Sequence, residues 1–158
     1  MDASARAQLL VDELGRTLGL EGLHLDEDAR LTLELDGQLV VSLGVEDQGS
    51  LLLLASIQGT EGPKPQAFLE TMLESNFLWQ GGRGATLAIE PASGVITLEQ
   101  RLPLAGLAFP KFQAALEAFV NTLADWTALA GKAMGDGGRR MAQSPAPGVV
   151  PLRPDLFA

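Results

Sequence analysis

The stretch MLESNFLWQGGRGATLAIEPASGVITLEQRLPL, Met72–Leu104, decides the fold. It runs from an apolar helix end through the turn Gly81-Gly82-Arg83-Gly84 into two segments joined by Pro91-Ala92-Ser93-Gly94. Alternating polarity bounded by glycine and proline is the pattern of paired strands. Strands are therefore expected at Ala85–Glu90 and Val95–Leu102. A four-residue loop pairs Glu90 with Val95, Ile89 with Ile96 and Leu87 with Leu98, which keeps the apolar side chains together without a bulge. Nothing in the stretch is a catalytic group, so the question becomes what such a scaffold holds.

Upstream, Gln66–Leu78 reads as a helix that is too apolar for its length, with Trp79 just beyond it. A surface helix needs one stripe about 100° wide. Here Phe68 and Met72 lie on a different line from Leu69, Leu73 and Phe77. Either the helix is wholly buried, or it is shared between the core and a second subunit; a chain this small favours sharing, because one core has few places to hide both stripes.

Further upstream the period is two. Leu31, Leu33 and Leu35 alternate with Thr32, Glu34 and Asp36, then Leu39, Val41, Leu43 and Val45 alternate with Val40, Ser42 and Gly44, around Asp36-Gly37. A two-residue loop would split the apolar set between faces. A three-residue loop, Leu35-Asp36-Gly37, with Gly37 left-handed sets Leu33 opposite Leu39 and Leu31 opposite Val41 and avoids this. The next segment, Ser50–Ile57, is apolar on both faces, which suits a strand covered twice. At the start of the chain Leu10, Val11, Leu14 and Leu18 form the stripe of a one-sided helix over Asp2–Leu18, with Ser4 available as a cap and Gly19 beyond its end. Downstream, Pro110 opens a long helix to about Ala133, its stripe including Phe112, Leu116, Phe119, Leu123 and Trp126.

These elements give an α+β fold, in the order helix, three strands, helix, two strands, helix, with an antiparallel sheet packed by helices. A chain of 158 residues fits one domain, placed here at residues 1–133. Residues 134–158 are rich in glycine and proline without periodicity, and are expected to form a disordered tail.

Composition narrows the function. Lys plus Arg number 11 against 20 Asp plus Glu, a net charge of -9, so nucleic acid is a poor partner. Cysteine is absent, which removes disulfides and thiol nucleophiles. No apolar run approaches the roughly 20 residues of a membrane span, and the N-terminus lacks a signal-peptide core, so a soluble, intracellular protein is expected.

The candidates for chemistry fail on spacing. His24 is the single histidine and sits in a linker, without a serine in nucleophile-elbow context. Asp26, Glu27 and Asp28 lack the spacing and closing glutamate of an EF-hand, and read as a turn that begins a strand. Gly81-Gly82-Arg83-Gly84 has the glycine content of a phosphate loop but precedes a strand and has no Lys-Ser/Thr. Glu90 and Glu99 sit across a hairpin as exposed charge. No catalytic residue, metal site or cofactor is expected, and an enzyme is the disfavoured reading.

The element order, together with LETMLESNFL (Leu69–Leu78), GATLAIEPASGVITLEQRLPL (Gly84–Leu104) and FQAALEAFVNTLADW (Phe112–Trp126), resembles the class I chaperones of bacterial type III secretion, the Tir-chaperone (CesT-like) family. The resemblance spans roughly Ala5 to Lys132 and leaves out the tail. It implies a cytoplasmic bacterial homodimer that binds the N-terminal segment of one or more secreted effectors in extended form. The segment stays soluble and non-globular for export, without catalysis. It also implies the ATPase of the secretion apparatus as a further partner. Combined with the pattern, it assigns Leu10, Val11, Leu14, Leu18, Val40, Leu52 and Leu54 to the effector surface, and Phe68, Met72, Trp79 and Leu87 to the dimer interface. The alternative function is a regulatory chaperone, an anti-activator partner that controls secretion-gene expression.

Overall fold

The computed structural model describes residues 1–47, 49–135 and 149–152. Helix α1, Ala3–Leu18, begins at Asp2 rather than Ser4, because the Asp2 carboxylate accepts the Ala5 N–H at 2.8 Å and satisfies a donor that the helix leaves free. It ends at Gly19, whose left-handed conformation closes the last turn. Strands β1 (Arg30–Leu35), β2 (Leu39–Glu46) and β3 (Ser50–Ile57) follow, then α2 (Gln66–Asn76), a 3₁₀ turn (Phe77–Trp79), β4 (Thr86–Ile89), β5 (Ile96–Pro103), α3 (Phe109–Met134) and β6 (Val149–Leu152). One sheet runs β4-β5-β3-β2-β1-β6. Its first five strands pair antiparallel and β6 joins β1 in parallel.

The second hairpin has the expected register, Ile89 opposite Ile96 and Leu87 opposite Leu98, with the Glu90 N–H donating to the Val95 carbonyl. The first hairpin differs. Its loop has three residues, but they are Asp36-Gly37-Gln38, and Leu33 faces Val41 instead of Leu39. Asp36 takes the left-handed conformation alongside Gly37, at φ 55° and 65°, so the turn starts one residue later. Aspartate is among the few side chains that tolerate this region. The register moves by two residues, which leaves every side chain on the face its alternation dictates.

One face of the sheet builds the core. Leu33, Leu43, Leu53 and Leu98 are fully buried there under α3, which crosses β2, β3 and β5, with α1 packed beside it. Phe68 of α2 meets Trp126 of α3 edge to face, ring centres 5.9 Å apart. The buried Thr60 hydroxyl donates to the Ile57 carbonyl and accepts the Ile96 N–H at 2.9 Å, tying the end of β3 to the start of β5. The other face carries no element of this chain among the described residues. The expectation that β3 is covered on both sides is therefore corrected: Leu51, Leu53, Ala55 and Ile57 are buried, whereas Leu52 and Leu54 are only half-buried.

At the far edge, α2 is fastened to β4 by one side chain. The Asn76 amide nitrogen donates to the Leu87 carbonyl and its oxygen accepts the Leu87 N–H, both at 2.9 Å. That carboxamide stands in for a neighbouring strand at one position. Asn76→Ala leaves both backbone groups of Leu87 unpaired at a half-buried edge, and is expected to cost about 1–3 kcal/mol. The readout is a lower urea midpoint at unchanged slope; an unaltered midpoint sinks the assignment.

The glycine-rich turn is a corner, not a cradle. A Cβ on Gly82 would lie 2.1 Å from the Ala85 carbonyl oxygen, so this backbone approach admits only glycine. Arg83 anchors the corner to α3 through Asp125 at 2.9 Å and the Thr122 hydroxyl at 3.2 Å. The expected disordered tail, residues 134–158, lies outside the described residues except for Met134, which ends α3, Gly135 beside it, and Val149–Leu152, which form β6.

Candidate functional site

Three surfaces carry apolar groups that the core leaves over. The first is the outer sheet face. Side chains alternate across a strand, so the residues between the core-facing leucines of β2 and β3 point outward: Val40 is exposed, and Leu52 and Leu54 are half-buried. Leu54 pairs with Ser42 and sits diagonal to Val40, while Leu52 stands opposite Gly44. On the other flank Leu52 pairs with Arg101 and Leu54 with Glu99. The Arg101 guanidinium forks onto the Glu46 carboxylate at 3.0 and 3.1 Å and reaches Glu99 at 3.7 Å. Glu46 raises the Arg101 pKa above its ordinary value, through the hydrogen bonds first and the charge second. The face thus offers an apolar centre with a fixed ion pair at its rim.

The second surface borders α1. The expected effector residues Leu10, Val11, Leu14 and Leu18 are buried against α3 and the sheet, so they are corrected from surface to core. A short helix has one apolar stripe, and the core takes it first. What α1 exposes instead is Leu9, which pattern reading passed over because it stands outside the stripe. Leu9 lines a shallow groove with Leu104, Leu107 and Phe109, flanked by Arg6 and Glu13.

The third surface is α2 and the turn after it. Two stripes were expected, one for the core and one for a partner, and the core takes the one expected to face the partner. Phe68 and Met72 face the core, as does Leu87, because the edge-to-face contact with Trp126 and the Asn76 bond to β4 set the helix rotation. The opposite line is the exposed one: Leu73 is 71% accessible, Phe77 69%, Leu78 65% and Trp79 56%. Leu78 and Trp79 hold left-handed backbone, at φ 52° and 54°, which turns both out of the helix path. Trp79 keeps its indole N–H on the Thr86 hydroxyl at 3.2 Å. Large apolar groups gathered this closely on a surface mark a contact site.

Polar candidates occupy structural positions. The Asp26 carboxylate accepts the N–H groups of Asp28 and Arg30 at 3.0 and 2.8 Å, which shapes the entry to β1. His24 is exposed, its Nδ1 2.6 Å from the Gly22 carbonyl. Among the described residues no three His, Asp or Glu side chains converge to hold a metal, and no helix is long and apolar enough to cross a membrane.

The fold recurs in solved structures. The ExsC–ExsE complex shares it at a TM-score of 0.70 and 24% identity, over 82% of this chain and 96% of that one. The HopA1–SchA chaperone–effector complex does so at 0.62 and 21%, over 79% and 92%. The Yersinia pestis type III secretion chaperone SycH, in complex with a fragment of YscM2, follows at 0.62 and 18%, over 75% and 98%. Among individually curated proteins none matches the sequence. The model of one family, the Tir chaperone protein (CesT) family, matches residues 9–127. Because that match begins inside α1, takes in all five antiparallel strands and ends within α3, the chain belongs to the Tir chaperone protein (CesT) family.

Proposed function

We propose that this chain is a cytoplasmic, homodimeric type III secretion chaperone. It receives the N-terminal segment of a secreted effector in extended form and keeps that segment non-globular until export. The observation that carries this reading is β3, apolar on both faces but covered by its own helices on only one. Leu52 and Leu54, with Val40, give an extended client an apolar floor, and the groove at Leu9 gives it a second foothold. Leu73, Phe77, Leu78 and Trp79 supply the dimer contact. Holding a client in this way needs complementary surface alone, so no catalytic group or cofactor is required. A net charge of -9 keeps the loaded complex soluble and favours clients with basic segments. The ATPase of the secretion apparatus is the partner proposed for delivery.

Limited proteolysis tests the reading, with a complex of this chain and the secreted protein encoded beside its gene. A protected client fragment confined to the N-terminal region, and cleaved at once after the chaperone is removed, is the expected result. Protection of a folded client domain elsewhere overturns the proposal.

A further inference from the structure

The outer side of β1 is occupied by the chain's own C-terminal segment. Val149–Leu152 lies parallel to β1, with Thr32 opposite Val149, Leu33 opposite Val150, Glu34 opposite Pro151 and Leu35 opposite Leu152. A parallel neighbour needs a long connection, and the whole of the chain between β1 and β6 supplies it. The two edge strands, β4 and β6, each pair over four positions where β3 and β5 pair over eight, but only β6 is parallel to its neighbour and only β6 of the two carries a proline. Pro151 has no N–H, so either a ladder bond to β1 is missing or the outward edge is blunted. Of the two edge strands, β6 thus has the less to lose by leaving.

It is also tethered. Residues 135–148, which include Gly135, Gly137, Gly138, Pro145 and Pro147, join it to α3. A short tether holds a segment at an effective concentration on the order of millimolar, enough for a weak strand to occupy its site. An unpaired edge templates any extended chain that meets it, and one edge pairs with one strand at a time.

We propose that β6 is a built-in occupant of the β1 edge, closing the sheet in the free chain and yielding that edge to an extended apolar segment of the client. The displacing segment has an N–H where β6 has Pro151. It gains further from a lysine or arginine at the same position, across from Glu34. This inference rests on the client-binding reading for the identity of the incoming strand, but not for the occupancy of the edge.

The test compares the full chain with Val150→Pro, which removes a second N–H from β6, and with Gln143→Pro as a control outside the pairing. Hydrogen exchange is followed at Arg30–Leu35 in the absence of any client. Val150→Pro is expected to speed exchange of the β1 amides that point away from β2 by about tenfold or more, with β3 unchanged. A labelled synthetic peptide of residues 144–158 is expected to bind this variant at least about tenfold more tightly than the unaltered chain, in which the tethered copy competes. Equal exchange at β1 in both proteins overturns the proposal. So does protection that fades on dilution, because β6 would then come from a second copy. If the edge behaves as expected while no effector segment binds, the client reading fails and the self-occupied edge stands.

Discussion

Replacing Leu73 and Phe77 together with aspartate is expected to halve the particle mass seen by light scattering at micromolar concentration, with the helical signal unchanged. Leu73 projects from the solvent side of α2 and Phe77 from the 3₁₀ turn that follows it, where neither supports the core. Burying a Leu or Phe on association is worth about 1.5–3 kcal/mol, so losing two removes about 3–6 kcal/mol before the added carboxylates are desolvated. Each 1.4 kcal/mol is about tenfold in a dissociation constant, which makes the expected weakening two to four orders of magnitude. Phe68→Ala behaves in the opposite way. It is expected to lower stability by about 3–5 kcal/mol, because it opens a cavity against Trp126. A doubly substituted protein that keeps two protomers overturns the assignment of this patch to the interface.

Two adjacent residues of β3 are expected to divide folding from binding. Leu53 is fully buried, and Leu53→Asp asks the core to take a carboxylate with no partner. The cost exceeds what a fold of about 5–15 kcal/mol net stability sustains, so loss of the cooperative thermal transition is expected. Leu52→Asp puts the same group on the outer face, across from Arg101, and is expected to leave the melting temperature within a few degrees. Its effect appears on binding: affinity for the effector segment is expected to fall at least about tenfold, the value of roughly one buried aliphatic side chain. If Leu52→Asp binds the segment as tightly as the unaltered chain, the outer sheet face is not the client's floor.

What the sequence made legible followed from periodicity. The register of β4 with β5 was readable because alternation and a four-residue loop agree on one solution. For β1 with β2 alternation set the faces, while the loop offset depended on Asp36 adopting a conformation that its residue type permits without requiring. Element order and the long α3 were equally open to reading. The candidate site was less so, because a stripe states that a surface is apolar and not what covers it. Leu10, Val11, Leu14 and Leu18 could face a client or the core, and the core took them. On α2 both stripes were visible, but their roles turn on Trp126 and on Leu87, residues distant in sequence. β6 was out of reach for a similar reason. Val-Val-Pro-Leu is too short to show a period, and a parallel partner far along the chain leaves no local mark.

The carboxamide of Asn76 has a consequence for how two copies would meet. By gripping Leu87 it makes the end of α2 and the edge of the sheet one mechanical body, and the exposed Leu73, Phe77, Leu78 and Trp79 ride on that body. A contact patch already held in place has little backbone freedom left to surrender on association, which is the part of the binding cost that preorganisation cuts. For the proposed dimer, rigid docking at about 10⁵–10⁷ M⁻¹s⁻¹, the rate of two prepared faces finding their mutual orientation, is the expected outcome, without a folding step of its own.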